Sequence, residues 1–378
     1  MGTAIAITIL FETSKGRVVL EGADMHRFSL DPSVSATDVG RSSPCSGVAA
    51  LSVAACAAIT DHMSVPIVHH PAYCASLPAN HRFPMDKFRA VAALIEAEGL
   101  LGEGRFYKPR AAPFDWVALA HDPVYVDQVF STNVPKAVAR EIGFDIRPDI
   151  AARARYATGG TVLTGYLALE HGIACNTAGG SHHARWKQGA GFCVFNDVAV
   201  AIRVMQADGV ISRALVIDLD VHQGDGTADI FRHCDSVVTF SMHARKNYPV
   251  RKVPSNHDIE LPDGASDNSY LAHLAARTTE VLKRARPDIV FYNAGVDPYK
   301  EDRLGRLALS RAGLLQRDEL VIQTVRQAGI PLAGVLGGGY SEDIDELADR
   351  HVTLHRAALA CAKNQPTVQR TTGHVQTG

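Results

Sequence analysis

The seven cysteines are scattered, and no two are spaced C-x-x-C. That excludes the common zinc-ribbon and thioredoxin-type patterns. An odd, unpaired set suits free thiols in a reducing, cytoplasmic setting better than a disulfide scaffold. Net charge is almost absent, with 38 Lys and Arg against 40 Asp and Glu. No global field draws the chain to nucleic acid or to an anionic membrane, so neither is expected as a partner. No apolar stretch is long enough to span a bilayer. Neither G-x-G-x-x-G nor G-K-[ST] occurs, which removes the usual phosphate cradles.

The 378 residues are 46% hydrophobic, enough for one large α/β domain or two smaller ones. The 17 histidines exceed ordinary structural need and favour metal or proton chemistry. Residues 1–62 do not match the rest. Ser29 to Gly47 is rich in Ser, Pro, Asp and Gly, and Gly47 to Thr60 is Ala-rich but too far from Met1 for a signal core. A loosely ordered extension, or a start placed too early, is expected there, with the catalytic domain over 63–363 and a disordered tail over 364–378.

From Ser64–His70, which reads as a first strand, helices and strands alternate. Helices are expected over Asp86–Glu98, Thr158–His171, Asn196–Ala207 with Asn196 as cap, Ser269–Arg286 and Leu314–Ala328. The alternation implies a single α/β domain with a central parallel sheet and helices on both faces.

Ala214-Leu215-Val216-Ile217 is a short, branched, apolar run that reads as a buried strand. It leads into Asp218-Leu219-Asp220-Val221-His222. If the strand continues, residues 218, 220 and 222 share one face by alternation. Two carboxylates and an imidazole crowded there demand a compensating cation, although an Asp-rich turn is the bland alternative. Three more apolar runs end in chemically capable residues: 173–178 before Gly179-Gly180-Ser181-His182-His183, 288–296 before Asp297, and 330–336 before Gly337-Gly338-Gly339-Tyr340. Parallel strands bring all four ends to one edge of the sheet, where ligands bind in open α/β folds.

Asp220, His222 and Asp297 form a candidate divalent-metal set, suiting zinc or ferrous iron. Such an ion acidifies water and polarises a carbonyl. Asp218 and Asp225 are candidates to orient the two histidines, which then serve as a base and an electrostatic partner. The Tyr340 hydroxyl can donate to a developing oxyanion. Gly191 and Phe192, and less directly Tyr248, are candidate channel walls; ordinary core is the competing reading for Phe192.

Five motifs in order, Gly179-Gly180-Ser181-His182-His183-Ala184, Gly191-Phe192-Cys193, Asp218 to Gly226, Asn293-Ala294-Gly295-Val296-Asp297 and Gly337 to Tyr340, resemble the histone deacetylase superfamily on the arginase-like fold. The resemblance covers roughly residues 64–362. Leu77 to Met85 and Asp297 to Leu307 look like the class IV branch and its bacterial relatives. The resemblance implies zinc on Asp220, His222 and Asp297, His183 as general base and acid, His182 as electrostatic helper and Tyr340 as carbonyl polariser. It implies an acyl-lysine channel at Gly191 and Phe192. It also implies a structural potassium ion at Asp218, Ser241 and the backbone of Asp220, His222 and Met242, with Phe231 in part of a second such site. Arg82 matches a basic residue near the inner cavity. Leu304 aligns with an acidic gatekeeper found in acetylpolyamine deacetylases; an apolar residue there disfavours a polyamine, while Glu301 and Asp302 nearby keep it open. The implied activity is zinc-dependent removal of acetyl or longer acyl groups from lysine. The alternatives are hydrolysis of a small acylated amine, and a non-catalytic acyl-lysine binding protein.

Overall fold

The structure, a computed structural model, describes residues 7–10, 19–22, 65–78 and 80–364. The chain divides into a unit over Met1–Asp61 and a unit over His62–Gly378. In the first, β1 (Ile7–Leu10) and β2 (Val19–Gly22) pair antiparallel, with Ile7 opposite Gly22. The expectations for the rest of 1–62 and for the tail after Asn364 fall outside the described residues.

The second unit holds a seven-stranded parallel sheet: β3 (Ile67–Val68), β4 (Ile173–Asn176), β5 (Ala214–Asp218), β6 (Val237–Ala244), β7 (His257–Leu261), β8 (Ile289–Asn293) and β9 (Leu332–Val335). The spatial order is β3-β4-β9-β8-β5-β6-β7. Strands β4, β5, β8 and β9 are buried throughout, as expected of runs covered on both faces. Short helices α2 (Phe114–Val117), α3 (Pro123–Phe130) and α4 (Lys136–Ile142) follow α1 (Lys87–Ala97). Then come α5 (Pro148–His171), α6 (Asp197–Ala207), α7 (Asp225–Phe231), α8 (Asp267–Ala285), α9 (Arg311–Gln327) and α10 (Ile344–Asn364). Helix α5 packs on β4, β9 and α6, while α9 lies against α8 and α10, and α10 against α1. The fold is the expected α/β architecture with helices on both faces.

Local chemistry explains most boundaries. Asn196 caps α6 by accepting from Ala199 N at 3.0 Å, and Ser310 caps α9 from Gly313 N at 3.0 Å. Two expectations need correction. The first strand is only Ile67–Val68, and α5 begins at Pro148 rather than Thr158. Pro148 suits the first helical position, and Ile150, Ala151, Ala154 and Ala157 continue a buried stripe behind it. Gly159 and Gly160 sit mid-helix because the Arg110 carbonyl and the Tyr73 hydroxyl press against the backbone there.

Candidate active site

Strand β5 stops at Asp218, opposite Asn293 on β8 and Ser241 on β6. The expected alternation through residue 222 is therefore not what gathers the acidic cluster. The chain after Asp218 turns, and the turn is wrapped on carboxylates. Asp218 Oδ1 accepts from Asp220 N at 3.2 Å, and Asp220 Oδ1 from His222 N at 2.9 Å. Asp297 Oδ1 reaches across from the β8 loop to accept from Val221 N at 2.8 Å. Each side chain thus satisfies a backbone donor that a strand partner would otherwise take.

The result is a buried trio. Ligand-type atoms of Asp220, His222 and Asp297 all lie within 4.8 Å of one another, the one such group among the described residues. His222 Nδ1 is 3.0 Å from Asp220 Oδ1 and 3.1 Å from Asp297 Oδ2. Burial and then the Asp220 charge push Asp297 up to about 7, the effect of confining two carboxylates together. Two oxygens and one imidazole nitrogen at this spacing fit a divalent ion with a position left open.

His182 and His183 leave the β4 end through Gly179 and Gly180, both in the left-handed region (φ +87° and +84°). That bend turns both rings inward, with centroids 4.1 Å apart. Asp197, missed from sequence, fixes it: its carboxylate accepts from Gly180 N at 3.1 Å and Ser181 N at 2.7 Å. As expected, Asp218 holds His182 Nδ1 at 2.7 Å and Asp225 holds His183 Nδ1 at 2.6 Å. The environments split the pair. Burial opposes charge on His182, but the Asp218 and Asp220 carboxylates outweigh it and raise it to about 9. Burial and then the His182 charge press His183 down to about 4, despite Asp225. The surroundings thus favour the charged form of His182 and the neutral form of His183.

Tyr340 is buried, 6.4 Å from His222 between ring centroids, at the end of the glycine loop. Gly338 N donates to Asp220 Oδ2 at 2.7 Å, and a Cβ on Gly338 would overlap the Asp297 and Asp220 carboxylates. The loop can approach the trio only because this position lacks a side chain.

Phe192, in the left-handed region at φ +67°, stands 6.0 Å from Tyr340 and 5.4 Å from Phe83. Tyr248 sets its ring edge on to His183 at 4.8 Å, beside Gly191. Leu304 is half-buried beside Asn247, its carbonyl accepting from Asn247 Nδ2 at 2.6 Å, and it does not line the chamber. Asp302 is buried and accepts from the backbone N–H of Leu304, Gly305 and Tyr340 at 2.9, 3.0 and 2.7 Å, so it braces Tyr340 rather than guarding the entrance. Glu301 is exposed and paired with Lys300. Arg82 does not reach the inner cavity; it is exposed on an outer cleft of about 1020 Å³ shared with Arg303 and Glu342. The buried cations near the chamber are Lys87, whose Nζ donates to the Gly337 carbonyl at 3.1 Å, and Arg153. Sequence gives no signal for either, since lysine and arginine are rarely buried. Ser241 and Met242 are buried on β6, where Ser241 Oγ meets His243 Nδ1 at 2.9 Å.

Two further residues escaped the sequence reading. Arg317, fully buried, donates to the carbonyls of Gly295 at 2.5 Å, Ala294 at 3.3 Å and Leu219 at 3.4 Å, tying the β5 and β8 loops together. Asn247, also buried, places Nδ2 3.3 Å from His222 Nε2.

A histone deacetylase domain model matches residues 81–355. An uncharacterized protein of Picosynechococcus sp. is 46% identical over 78% of this chain and 99% of its own length. Histone deacetylase 2 of Arabidopsis thaliana is 29% identical over 74% of this chain and 75% of its own. A probable deacetylase of Methanothermobacter thermautotrophicus is 29% identical over 73% of this chain and 86% of its own. The solved HDA15 HD domain superposes with a TM-score of 0.68 at 23% identity, over 81% of this chain and 90% of that chain, a likeness of fold.

Proposed function

The chain belongs to the histone deacetylase family, and from that premise we propose that it removes acetyl groups from lysine side chains by metal-assisted hydrolysis. The observation that carries the reading is the convergence of His183, His182 and Tyr340 on the buried trio of Asp220, His222 and Asp297. That trio would hold zinc or ferrous iron, which supplies an acidified water and positive charge for the carbonyl oxygen. Asp218 and Ser241, facing each other on β5 and β6, with the neighbouring Met242 backbone, are where a structural potassium ion would sit.

The residues divide the work. His183 Nε2, left free by the Nδ1 bond to Asp225, takes the proton of the attacking water and returns it to the departing lysine amine. The C–N bond breaks, leaving a carboxylate and a free amine. Tyr340 donates its hydroxyl hydrogen to the oxygen that gains charge, and His182, held by Asp218, adds electrostatic support. The chamber lined by Phe83, Phe88, Arg153 and Tyr340 has a volume of about 40 Å³. That is room for roughly three waters, a match for an acetyl group.

The test is hydrolysis of acetyl- through myristoyl-lysine peptides by metal-loaded protein, with His183→Ala as control. Acetyl hydrolysis that vanishes in the control is the expected result. Inactivity on every peptide with metal bound, or activity surviving in the control, overturns the reading.

A further inference from the structure

Phe83 borders two separate spaces. It lines the inner chamber of about 40 Å³ that His183 and Tyr340 also line, and it lines the outer cleft of about 1020 Å³. Among the described residues it is the one common to both linings. Its side chain is buried, so the ring stands as a partition. On the chamber side it lies 6.4 Å from the Tyr340 ring and 5.4 Å from the Phe192 ring. On the cleft side Leu77, Pro78, Pro84, Met85 and Ile344 add apolar surface.

The partition is held by a specific clip. His81 Nδ1 accepts from Phe83 N at 3.0 Å, which leaves Nε2 to donate to the Gly143 carbonyl at 2.9 Å. The imidazole thus ties the stretch before α1 to the turn after α4. The same ring stacks on Phe144 at 5.4 Å and meets Phe192 edge on at 5.8 Å. Gly143, in the left-handed region at φ +86°, admits Phe192: a Cβ there would sit 2.8 Å from a carbon of its ring. Phe83 and Phe192 each pack on Phe144 as well, at 5.3 and 5.6 Å. His81 therefore fixes two chamber walls, Phe83 and Phe192, relative to each other.

Resting on the deacetylase reading, we propose that Phe83 sets the length of acyl group the site accepts, with His81 as the positioning residue that keeps it in place. With the ring present, the alkyl end of the acyl group meets a closed chamber the size of an acetyl group. With the ring cut back, the chamber opens on the cleft, whose apolar side chains can cover a longer tail. A single methylene that gains or loses such cover changes discrimination by about tenfold or more.

The test compares kcat/KM for acetyl-, butyryl-, hexanoyl- and decanoyl-lysine in one peptide, for metal-loaded unmodified protein and for Phe83→Ala, Phe83→Leu and His81→Ala. The unmodified protein is expected to prefer acetyl. In Phe83→Ala the hexanoyl-to-acetyl ratio should rise on the order of tenfold or more. Phe83→Leu and His81→Ala should move it the same way by less. A ratio is the readout because general damage to the fold lowers every substrate together, and thermal melts report which variants fold; Phe83→Leu serves if Phe83→Ala does not. A length profile that the folded Phe83 variants leave unchanged overturns the inference and leaves the deacetylase reading intact. So does an unmodified protein that already prefers hexanoyl or decanoyl, and so does loss of hydrolysis of every peptide in the folded Phe83 variants. An unchanged ratio in His81→Ala alone removes His81 from the proposal. If the unmodified protein, with metal bound, hydrolyses none of the peptides, the deacetylase reading falls and the inference with it.

Discussion

His183 Nδ1 and the Asp225 carboxylate are joined at 2.6 Å, and both groups are buried. The bond fixes which imidazole nitrogen carries the proton and which faces the chamber. It also places a negative charge where the proposed mechanism would form an imidazolium. Asp225→Asn keeps an acceptor but removes that charge. The expected result is a fall in kcat of about tenfold to 10²-fold, part of what general acid–base catalysis supplies, with KM close to the unmodified value. Steady-state kinetics on an acetyl-lysine peptide separates the two. A change in KM alone would assign Asp225 to substrate binding instead.

Tyr340→Phe removes one hydroxyl from a ring packed against Phe192 and Phe83, at 6.0 and 6.4 Å, so the packing survives. The expected loss in kcat is about 10²–10³, as for other oxyanion donors. Metal content, measured on the purified variant, should not change, because Tyr340 is not in the carboxylate–imidazole trio. Unchanged turnover would remove it from the mechanism.

Much of this site is legible in the residues because it follows from local rules. Branched apolar runs mark β4, β5, β8 and β9, and the chemistry falls at their carboxyl ends as the topology requires. Asn196 announces the start of α6. What is not legible depends on contacts distant in sequence. Residues 220 and 222 share a site because Asp297, 76 positions beyond Val221, wraps their turn, not because a strand alternates. Lys87 and Arg153 read as surface cations until the fold encloses them, while Arg82, within the Leu77 to Met85 stretch, ends up outside. The strands β6 and β7 also go unread, β7 because its intermediate and exposed positions dilute the apolar signal.

Arg317 is a case of such a hidden dependence. Its guanidinium bonds Asp318 through Nε at 3.0 Å and Nη2 at 2.8 Å and spends its remaining donors on the carbonyls of both metal-side loops. Asp318 accepts also from Tyr292 Oη at 2.6 Å and Thr353 Oγ1 at 2.7 Å. Arg317→Ala leaves that carboxylate buried and uncompensated, and should cost about 3–5 kcal/mol. An Arg317→Met, Asp318→Asn double variant should cost less than the single one, because it removes the stranded charge. Denaturant midpoints for the two proteins decide it; a double variant no more stable than the single one would show that the loop carbonyls, not the charge, dominate.

His121 makes the fold sensitive to acid. It is fully buried; Nε2 accepts from Asn196 N at 2.9 Å and Nδ1 lies 2.9 Å from the Arg185 carbonyl, which fixes Nδ1 as the donor. Protonation would set two donors face to face at Nε2. Burial accordingly lowers the imidazole from 6.5 to about 4, in spite of the backbone partners. His355, buried with neither nitrogen partnered among the described residues, is lowered by burial to about 3. Because both groups bind protons more readily in the unfolded chain, stability is full above about pH 6.5 and declines as the pH falls toward their folded values. For His121 alone the decline amounts to on the order of 3 kcal/mol. A His121→Gln variant can still accept from Asn196 N but cannot titrate. It should be less stable at neutral pH, through imperfect packing, yet lose stability more slowly on acidification. Denaturant midpoints measured from pH 7 to about pH 4 give the slopes, and identical slopes in the two proteins would clear His121 of the acid sensitivity.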